Sequence, residues 1–245
     1  MTTRLRHPTR ARRAATPVPA LVGRVVVPAL GVTAAFAAAG RVIRRIGGDE
    51  PREDRAVRAL QERFGHHPEV AGAAPTAESD VTAAAAREPI DRVTAPFSWY
   101  SGVPQTIANG AIWCGVTWLL TRRARSAIAP GVALAVETAC FVSSAALVGR
   151  LRPHRVWRPE TPHGTASFPS GHTAAAFALH GTLADLLDRH RGGVGILGPV
   201  LRYGIPSAIA FSRIYRGQHH ISDVVAGALL GRWTAALVRR ELVAS

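Results

Sequence analysis

Apolar residues gather in long segments along this chain instead of being spread evenly. One run, from Val18 to Ala39, contains Arg24 as its single charged residue, and further runs of about 15–21 residues follow after Val103. Short clusters of arginine, glycine and proline separate these runs, which is typical of a multispanning membrane protein. The pattern predicts an all-α integral membrane bundle of about six transmembrane helices, at 18–39, 103–121, 128–149, 172–188, 196–212 and 221–238.

The N-terminal segment combines an apolar run with positive charge on both sides. Arginines precede the run at positions 4, 6, 10, 12 and 13, and others follow at positions 41, 44 and 45. A signal peptide covering residues 1–37 is the alternative, because Ala35-Phe36-Ala37 has the small residues of a cleavage site. The length of the run and the arginines after it favour a first transmembrane helix with a basic cytoplasmic tail, which together form a first domain at 1–46.

Residues 47–95 are polar and rich in alanine, with acidic and basic side chains interleaved. They are expected to form an extramembrane connector that contains one amphipathic helix, from Glu53 to Phe64. Its mixed charge favours a solvated face, so no chemistry is assigned to this segment. The remaining residues, 96–245, are predicted to form a five-helix catalytic domain.

The net charge of the chain and the placement of its arginines limit the kinds of partner that it can bind. The chain of 245 residues has a net charge of +14, and all 30 of its basic residues are arginine. These arginines stand at the ends of the apolar runs instead of forming a stripe on one helix, which disfavours nucleic-acid binding and favours a membrane. Cys114 and Cys140 lie inside apolar runs, where free thiols are expected, and no disulfide framework or zinc spacing is present.

The arginine-rich connections predict an orientation. If six helices alternate, the connections at 122–125 and 189–191 lie on the same side as the N-terminus and the Arg239-Arg240 tail. Arginine accumulates in cytoplasmic loops, so both termini are expected to be cytoplasmic. The other connections then lie on the outer face, periplasmic or extracellular, and they carry three polar clusters: Arg152-Pro153, Pro169-Ser170-Gly171-His172, and Ser212-Arg213 with His219 and Asp223.

The third cluster contains a candidate nucleophile. If a helix starts near His219, the spacing of four residues places Asp223 on the same face as His219. A carboxylate there can accept one imidazole N–H and leave the other ring nitrogen with a free lone pair. His220 is expected to point elsewhere on the helix, so no role is assigned to it.

The other two clusters contain candidate groups for binding phosphate. Ser170 is expected near the N-cap of a helix, where exposed backbone N–H groups bind phosphate oxygens and Gly171 allows close approach. His172 could protonate a leaving oxygen as general acid. Arg152 and Arg213 would supply planar guanidinium groups that match phosphate oxygens. This scheme needs no metal ion or other cofactor.

Taken together, these residues resemble the type 2 phosphatidic acid phosphatase superfamily, which also contains class A acid phosphatases and vanadium haloperoxidases. The pattern of that superfamily reads K-x6-R-P, P-S-G-H and S-R-x5-H-x3-D, and its second and third elements are matched here without a gap. The resemblance covers about residues 145–223. It implies that His219 is phosphorylated, that Asp223 orients it and that His172 is the general acid. The implied phosphate-binding residues are Arg152, Ser170, Gly171 and Arg213.

One position departs from the pattern: the lysine of the first element aligns with Ala145. The pocket is therefore short of one cation, for which Arg150, Arg155 or Arg158 could compensate. A second alignment uses Arg158-Pro159, with Arg152 as the cation, but its spacing is one residue short.

The resemblance implies a membrane phosphatase acting on phosphatidic acid, phosphatidylglycerol phosphate or a polyprenyl phosphate or diphosphate. A degenerate, non-catalytic lipid-binding homologue and a vanadate-dependent haloperoxidase are the alternatives. A Ser-His-Asp hydrolase is disfavoured because no G-x-S-x-G turn is present.

Glu137 and Arg232, both inside apolar runs, form a candidate pair between helices. The oligomeric state is left open.

Overall fold

A computed structural model describes residues 18–47, 52–64, 89–154, 156, 166–193 and 195–244. Within these ranges the chain is helical and contains no β-strand. The helices are α1 (Val18–Gly47), α2 (Arg52–Arg63), α3 (Pro89–Tyr100), α4 (Val103–Thr121), α5 (Ala124–Val148), α6 (Gly171–Arg191), α7 (Leu197–Pro199), α8 (Ile205–Tyr215) and α9 (Ile221–Val238). A π-helical turn at Val200–Gly204 joins α7 to α8, and another at Arg239–Val243 extends α9.

The all-α prediction is confirmed, and every predicted helix has a counterpart. The amphipathic helix in the connector is also present, as α2. Helix α3 was not predicted. Three described helices are long and apolar enough to cross a membrane by themselves, Val22–Gly47, Ala124–Val148 and Ile221–Val243, so the predicted number of six spans stays a prediction.

Helix α6 is the centre of the bundle, and every residue from Thr173 to Leu186 is buried. Its first half is rich in alanine, so neighbouring helices can approach closely. Helix α9 makes the closest approach. A Cβ atom added at Gly231 would meet the carbonyl oxygen of Ala174 and would lie 2.7 Å from Cβ of Phe177. Glycine at this position therefore sets the distance between α6 and α9.

The connections that carry the three polar clusters lie at one end of the bundle. Helix α5 stops at Gly149, whose φ of 60° places it in the left-handed region that favours glycine. The chain then turns into the segment that carries Arg150 and Arg152. The opposite end holds the start of α1 and the end of the chain, where Nη1 of Arg24 lies 3.9 Å from Oε2 of Glu241.

The expected pairing of Glu137 with Arg232 is wrong. Oε2 of Glu137 accepts a hydrogen bond from Oγ1 of its neighbour Thr138, at 3.2 Å. The guanidinium of Arg232 instead lies over the ring of Tyr203, 5.0 Å from its centroid. A buried carboxyl group on α5 is therefore left without a cationic partner among the described residues.

Candidate active site

The three polar clusters meet at the end of the bundle where α6 and α9 begin. Nη1 of Arg152 lies 3.1 Å from Nε2 of His219. The backbone N–H of Ser170 donates to the carbonyl oxygen of Asp223 at 2.9 Å, which ties the start of α6 to the first turn of α9. A cavity of about 270 Å³ lies beside these contacts, and Arg152, Gly171, His172 and His219 are among the residues that line it.

His219 is fixed by a backbone group instead of by the expected carboxylate. Its Nδ1 lies 2.9 Å from the carbonyl oxygen of Ser167, so Nδ1–H donates there and Nε2 keeps its lone pair. Oδ2 of Asp223 is 3.8 Å from the same nitrogen, beyond hydrogen-bonding distance. His219 precedes α9 instead of lying on it, so the helical spacing that predicted the contact does not apply.

His219 is 1% exposed, and this burial determines its charge. Burial lowers the pKa of His219 to about 4; the Asp223 carboxylate opposes the shift and the guanidinium of Arg152 reinforces it. The imidazole is therefore neutral near pH 7. A neutral ring with the Nε2 lone pair at the wall of a cavity can act as a nucleophile once a bound phosphate replaces Nε2 as the acceptor from Nη1 of Arg152.

The Asp223 carboxylate is the acceptor at the centre of a buried network. Oδ1 accepts from Nη1 of Arg150 at 2.5 Å. Oδ2 accepts from the hydroxyl of Ser167 and from the backbone N–H of His220, the latter at 2.9 Å. Through Ser167, Asp223 also supports the residue whose carbonyl group holds His219.

The sequence suggested that His220 points away from the site, but the structure places its ring in the site. Its Nδ1 lies 3.0 Å from Oδ2 of Asp223, and its Nε2 lies 3.0 Å from Oδ1 of Asp54 on α2. His220 is thus a bridge between the first turn of α9 and the connector helix α2.

Glu53 makes a second link between α2 and the site. Its Oε2 accepts from Nη2 of Arg150 at 2.7 Å, and its Oε1 accepts from the backbone N–H of Ser222 at 2.7 Å. Burial alone would raise the pKa of Glu53, but the hydrogen bonds from Arg150 and Ser222 outweigh it and lower the pKa. The prediction that α2 only presents a solvated face is wrong.

We expect Asp54→Asn to lower the free energy of unfolding by about 1–3 kcal/mol, because it removes one of the two carboxylates that hold the buried His220 ring. The measurement is the thermal unfolding midpoint of the purified protein in detergent. Arg55→Gln is the matched control, since Arg55 is exposed on the same helix. Equal midpoints for the two variants would mean that the contact between α2 and His220 contributes nothing to stability.

The other motif residues lie at the same end of the bundle with different exposures. Gly171 and His172 form part of the cavity wall. Ser170 is fully buried, and its hydroxyl lies 3.0 Å from Oγ1 of Thr173. Arg213 is 3% exposed, and its Nη1 donates to Oγ of Ser98 at 3.2 Å. Arg152 and His172 thus face the cavity, whereas the hydroxyl of Ser170 is in contact with the first turn of α6.

Ala145 is buried in the last turn of α5. Arg150, proposed from the sequence as a replacement for the missing lysine, is 4% exposed and is held between Glu53 and Asp223 at 2.7 and 2.5 Å. Its charge is already neutralised, so it does not compensate. Arg155 and Arg158, with the alternative Arg158-Pro159 alignment, lie outside the described residues. Within the described part of the chain, no group of three His, Cys, Asp or Glu residues could hold a metal ion.

This arrangement defines a helical membrane protein with histidine and arginine side chains around a cavity at one end. Residues 126–243 match the family model of the PAP2 superfamily, and the chain carries a domain of that superfamily. The fold is similar to the crystal structure of a transmembrane PAP2-type phosphatidylglycerolphosphate phosphatase from Bacillus subtilis, with a TM-score of 0.59 and 18% sequence identity. That likeness covers 88% of this chain and 94% of the other.

Two curated proteins are similar over shorter regions. A lipid A 1-phosphatase from Porphyromonas gingivalis is 37% identical over 102 residues, which are 38% of this chain and 20% of that protein. A probable diacylglycerol pyrophosphate phosphatase 1 from Schizosaccharomyces pombe is 36% identical over 86 residues, which are 32% of this chain and 31% of that protein. The matches therefore span about a fifth and about a third of the length of these relatives.

Proposed function

We propose that this protein is a membrane phosphatase that hydrolyses a lipid phosphate, or a polyprenyl phosphate or diphosphate, through a phosphohistidine at His219. The observation that carries the proposal is the geometry of His219. Its Nδ1 is fixed on a backbone carbonyl, and its Nε2 is next to Arg152 at the wall of the cavity. The names of the similar proteins, all phosphatases, agree with this chemistry.

In the first step, Nε2 of His219 attacks phosphorus, and the bond from phosphorus to the lipid oxygen breaks. The guanidiniums of Arg152 and Arg213 stabilise the negative charge on the phosphoryl oxygens. Nε2–phosphorus bond formation leaves positive charge on the ring, which the nearby Asp223 carboxylate stabilises. The negative charge of the bound phosphate offsets the guanidiniums of Arg152 and Arg213, so that His172 is protonated in the substrate complex, and His172 gives this proton to the departing lipid oxygen.

In the second step, water attacks the phosphohistidine. His172, now deprotonated, takes a proton from that water, and the bond between Nε2 and phosphorus breaks. Inorganic phosphate leaves, and both histidines return to their starting state. In this scheme Asp223 and His220 position groups around His219, and no metal ion or other cofactor takes part in a step.

We further propose that the site faces the periplasm or the extracellular space and that both termini are cytoplasmic. The arginine clusters at 122–125 and 189–191 stand at the end of the bundle opposite the site, together with Arg239 and Arg240. Accumulation of arginine on the cytoplasmic side supports this orientation. The lipid phosphate would then be presented from the outer leaflet.

The test is release of inorganic phosphate by the purified full chain in detergent micelles. The panel comprises phosphatidic acid, phosphatidylglycerol phosphate, a polyprenyl phosphate and a polyprenyl diphosphate, each with and without a metal chelator. We expect release from at least one lipid at a rate that the chelator does not change. No release from the whole panel would favour a non-catalytic lipid-binding protein, and loss of release with chelator would contradict the metal-independent mechanism.

A further inference from the structure

The cavity at the site has a mixed lining. Arg152, His172 and His219 contribute polar groups, and Val103, Ile107 and Leu134 contribute apolar surface. A cavity that offers both kinds of surface matches a phosphate joined to a hydrocarbon chain. The three apolar residues belong to α4 and α5, and Val103 and Ile107 are also exposed on the surface of α4.

Glu137 stands in the wall of this cavity and does not fit a purely hydrocarbon occupant. It is 1% exposed. Thr138 donates to its Oε2, and its Oε1 has no hydrogen-bond partner among the described residues. A buried carboxyl oxygen without a partner is unfavourable, and such groups are rare in native proteins unless they have a task.

The depth of Glu137 in the cavity indicates the task. A Cβ atom added at Gly171 would lie 2.9 Å from the Phe141 ring, so Phe141 on α5 is level with the start of α6. Glu137 precedes Phe141 by about one helical turn, which places it about 6 Å deeper in the bundle. It therefore lies deeper in the cavity than the phosphate-binding groups at the start of α6.

We infer that Glu137 is a specificity-determining residue that hydrogen-bonds the polar linker between the phosphate and the hydrocarbon chain of the substrate. A carboxyl group can accept from a hydroxyl or amide group and, when protonated, can donate to an ester carbonyl. Glycerolipid phosphates have such a linker. In a polyprenyl phosphate the isoprenoid chain starts at the phosphate oxygen, so that substrate would leave Oε1 of Glu137 unpaired.

This inference rests on the proposed function and selects among its substrates. A site built to hydrogen-bond a substrate discriminates strongly against an analogue without the bonding group, because the buried polar group is then left unsatisfied. The structure therefore assigns a glycerolipid phosphate, or another lipid phosphate with an oxygen- or nitrogen-containing linker, as the preferred substrate class.

The experiment compares wild type, Glu137→Gln and Glu137→Leu in identical detergent micelles. The substrates are phosphatidic acid, a polyprenyl monophosphate and p-nitrophenyl phosphate, which has neither linker nor chain. We expect Glu137→Leu to lower kcat/KM for phosphatidic acid by about tenfold or more. Its kcat/KM for the polyprenyl phosphate should be unchanged or increased, and Glu137→Gln should keep most of the wild-type preference.

The p-nitrophenyl phosphate arm reports whether the chemical site is intact, and its rate is expected to be the same in all three proteins. A ratio of kcat/KM values for phosphatidic acid and polyprenyl phosphate that Glu137→Leu leaves unchanged would overturn the inference. So would a wild-type preference for the polyprenyl phosphate, or an equal loss on all three substrates. If wild type releases phosphate from none of them, it is the proposed function that fails.

Discussion

Replacing His219 with alanine is expected to lower kcat for lipid phosphate hydrolysis by about 10³-fold or more, because the reaction then has no nucleophile. The measurement is phosphate release under single-turnover and steady-state conditions. A second readout is covalent labelling: wild type quenched in alkali during turnover of a substrate with a radioactive phosphoryl group should retain label on the protein, since phosphohistidine is stable to alkali. His219→Ala should retain none.

The matched control for this substitution is His190→Ala. His190 is on α6 at the opposite end of the bundle, where its Nε2 lies 3.1 Å from Oγ of Ser126. This variant should keep wild-type kcat and labelling. Activity that survives His219→Ala, or label that stays on that variant, would show that another group is the nucleophile.

Replacing His172 with alanine is expected to lower kcat for a lipid phosphate by about 10²–10⁴-fold, because the departing alkoxide then leaves without a proton. The loss should depend on the leaving group. A p-nitrophenolate ion is stable enough to leave unprotonated, so formation of the phosphohistidine from p-nitrophenyl phosphate should be affected much less. The measurement is the size of the burst of p-nitrophenol in wild type and in His172→Ala.

A general acid that also serves as the base in the second step has a specific kinetic signature. His172→Ala should form the phosphohistidine from p-nitrophenyl phosphate and then hydrolyse it slowly, so label accumulates on His219. An equal reduction of burst and steady-state rates for both kinds of substrate would assign His172 a role in binding instead of in proton transfer.

The helices could be predicted from sequence because each apolar run is long and is bounded by arginine, glycine or proline. Helix α3 was missed because Pro89–Tyr100 mixes polar and apolar residues and contains Pro96. The meeting of the three polar clusters was also predictable, since helices that alternate in direction bring every second connection to the same end.

The hydrogen bonds around the site were less predictable than the helices because they depend on where α9 starts. Spacing alone suggested that His219 and Asp223 share a helical face, but His220 is the N-cap and His219 lies before it. Asp54 and His220 are 166 residues apart in the chain. Nothing local to either residue indicates the contact, and acidic residues on an amphipathic helix usually face solvent.

The contacts of α2 also bear on what counts as a complete unit of this protein. The superfamily match starts at residue 126, whereas α2 ends at Arg63. A protein cut to the matched region would lack Glu53 and Asp54, so Arg150 and His220, both buried, would each lose one hydrogen-bonding carboxylate. Removing the partner of a buried polar group typically destabilises a protein by about 1–3 kcal/mol. The unit that contains all of these partners is therefore larger than the recognisable domain, and moving this end of the bundle into another scaffold requires moving α2 with it.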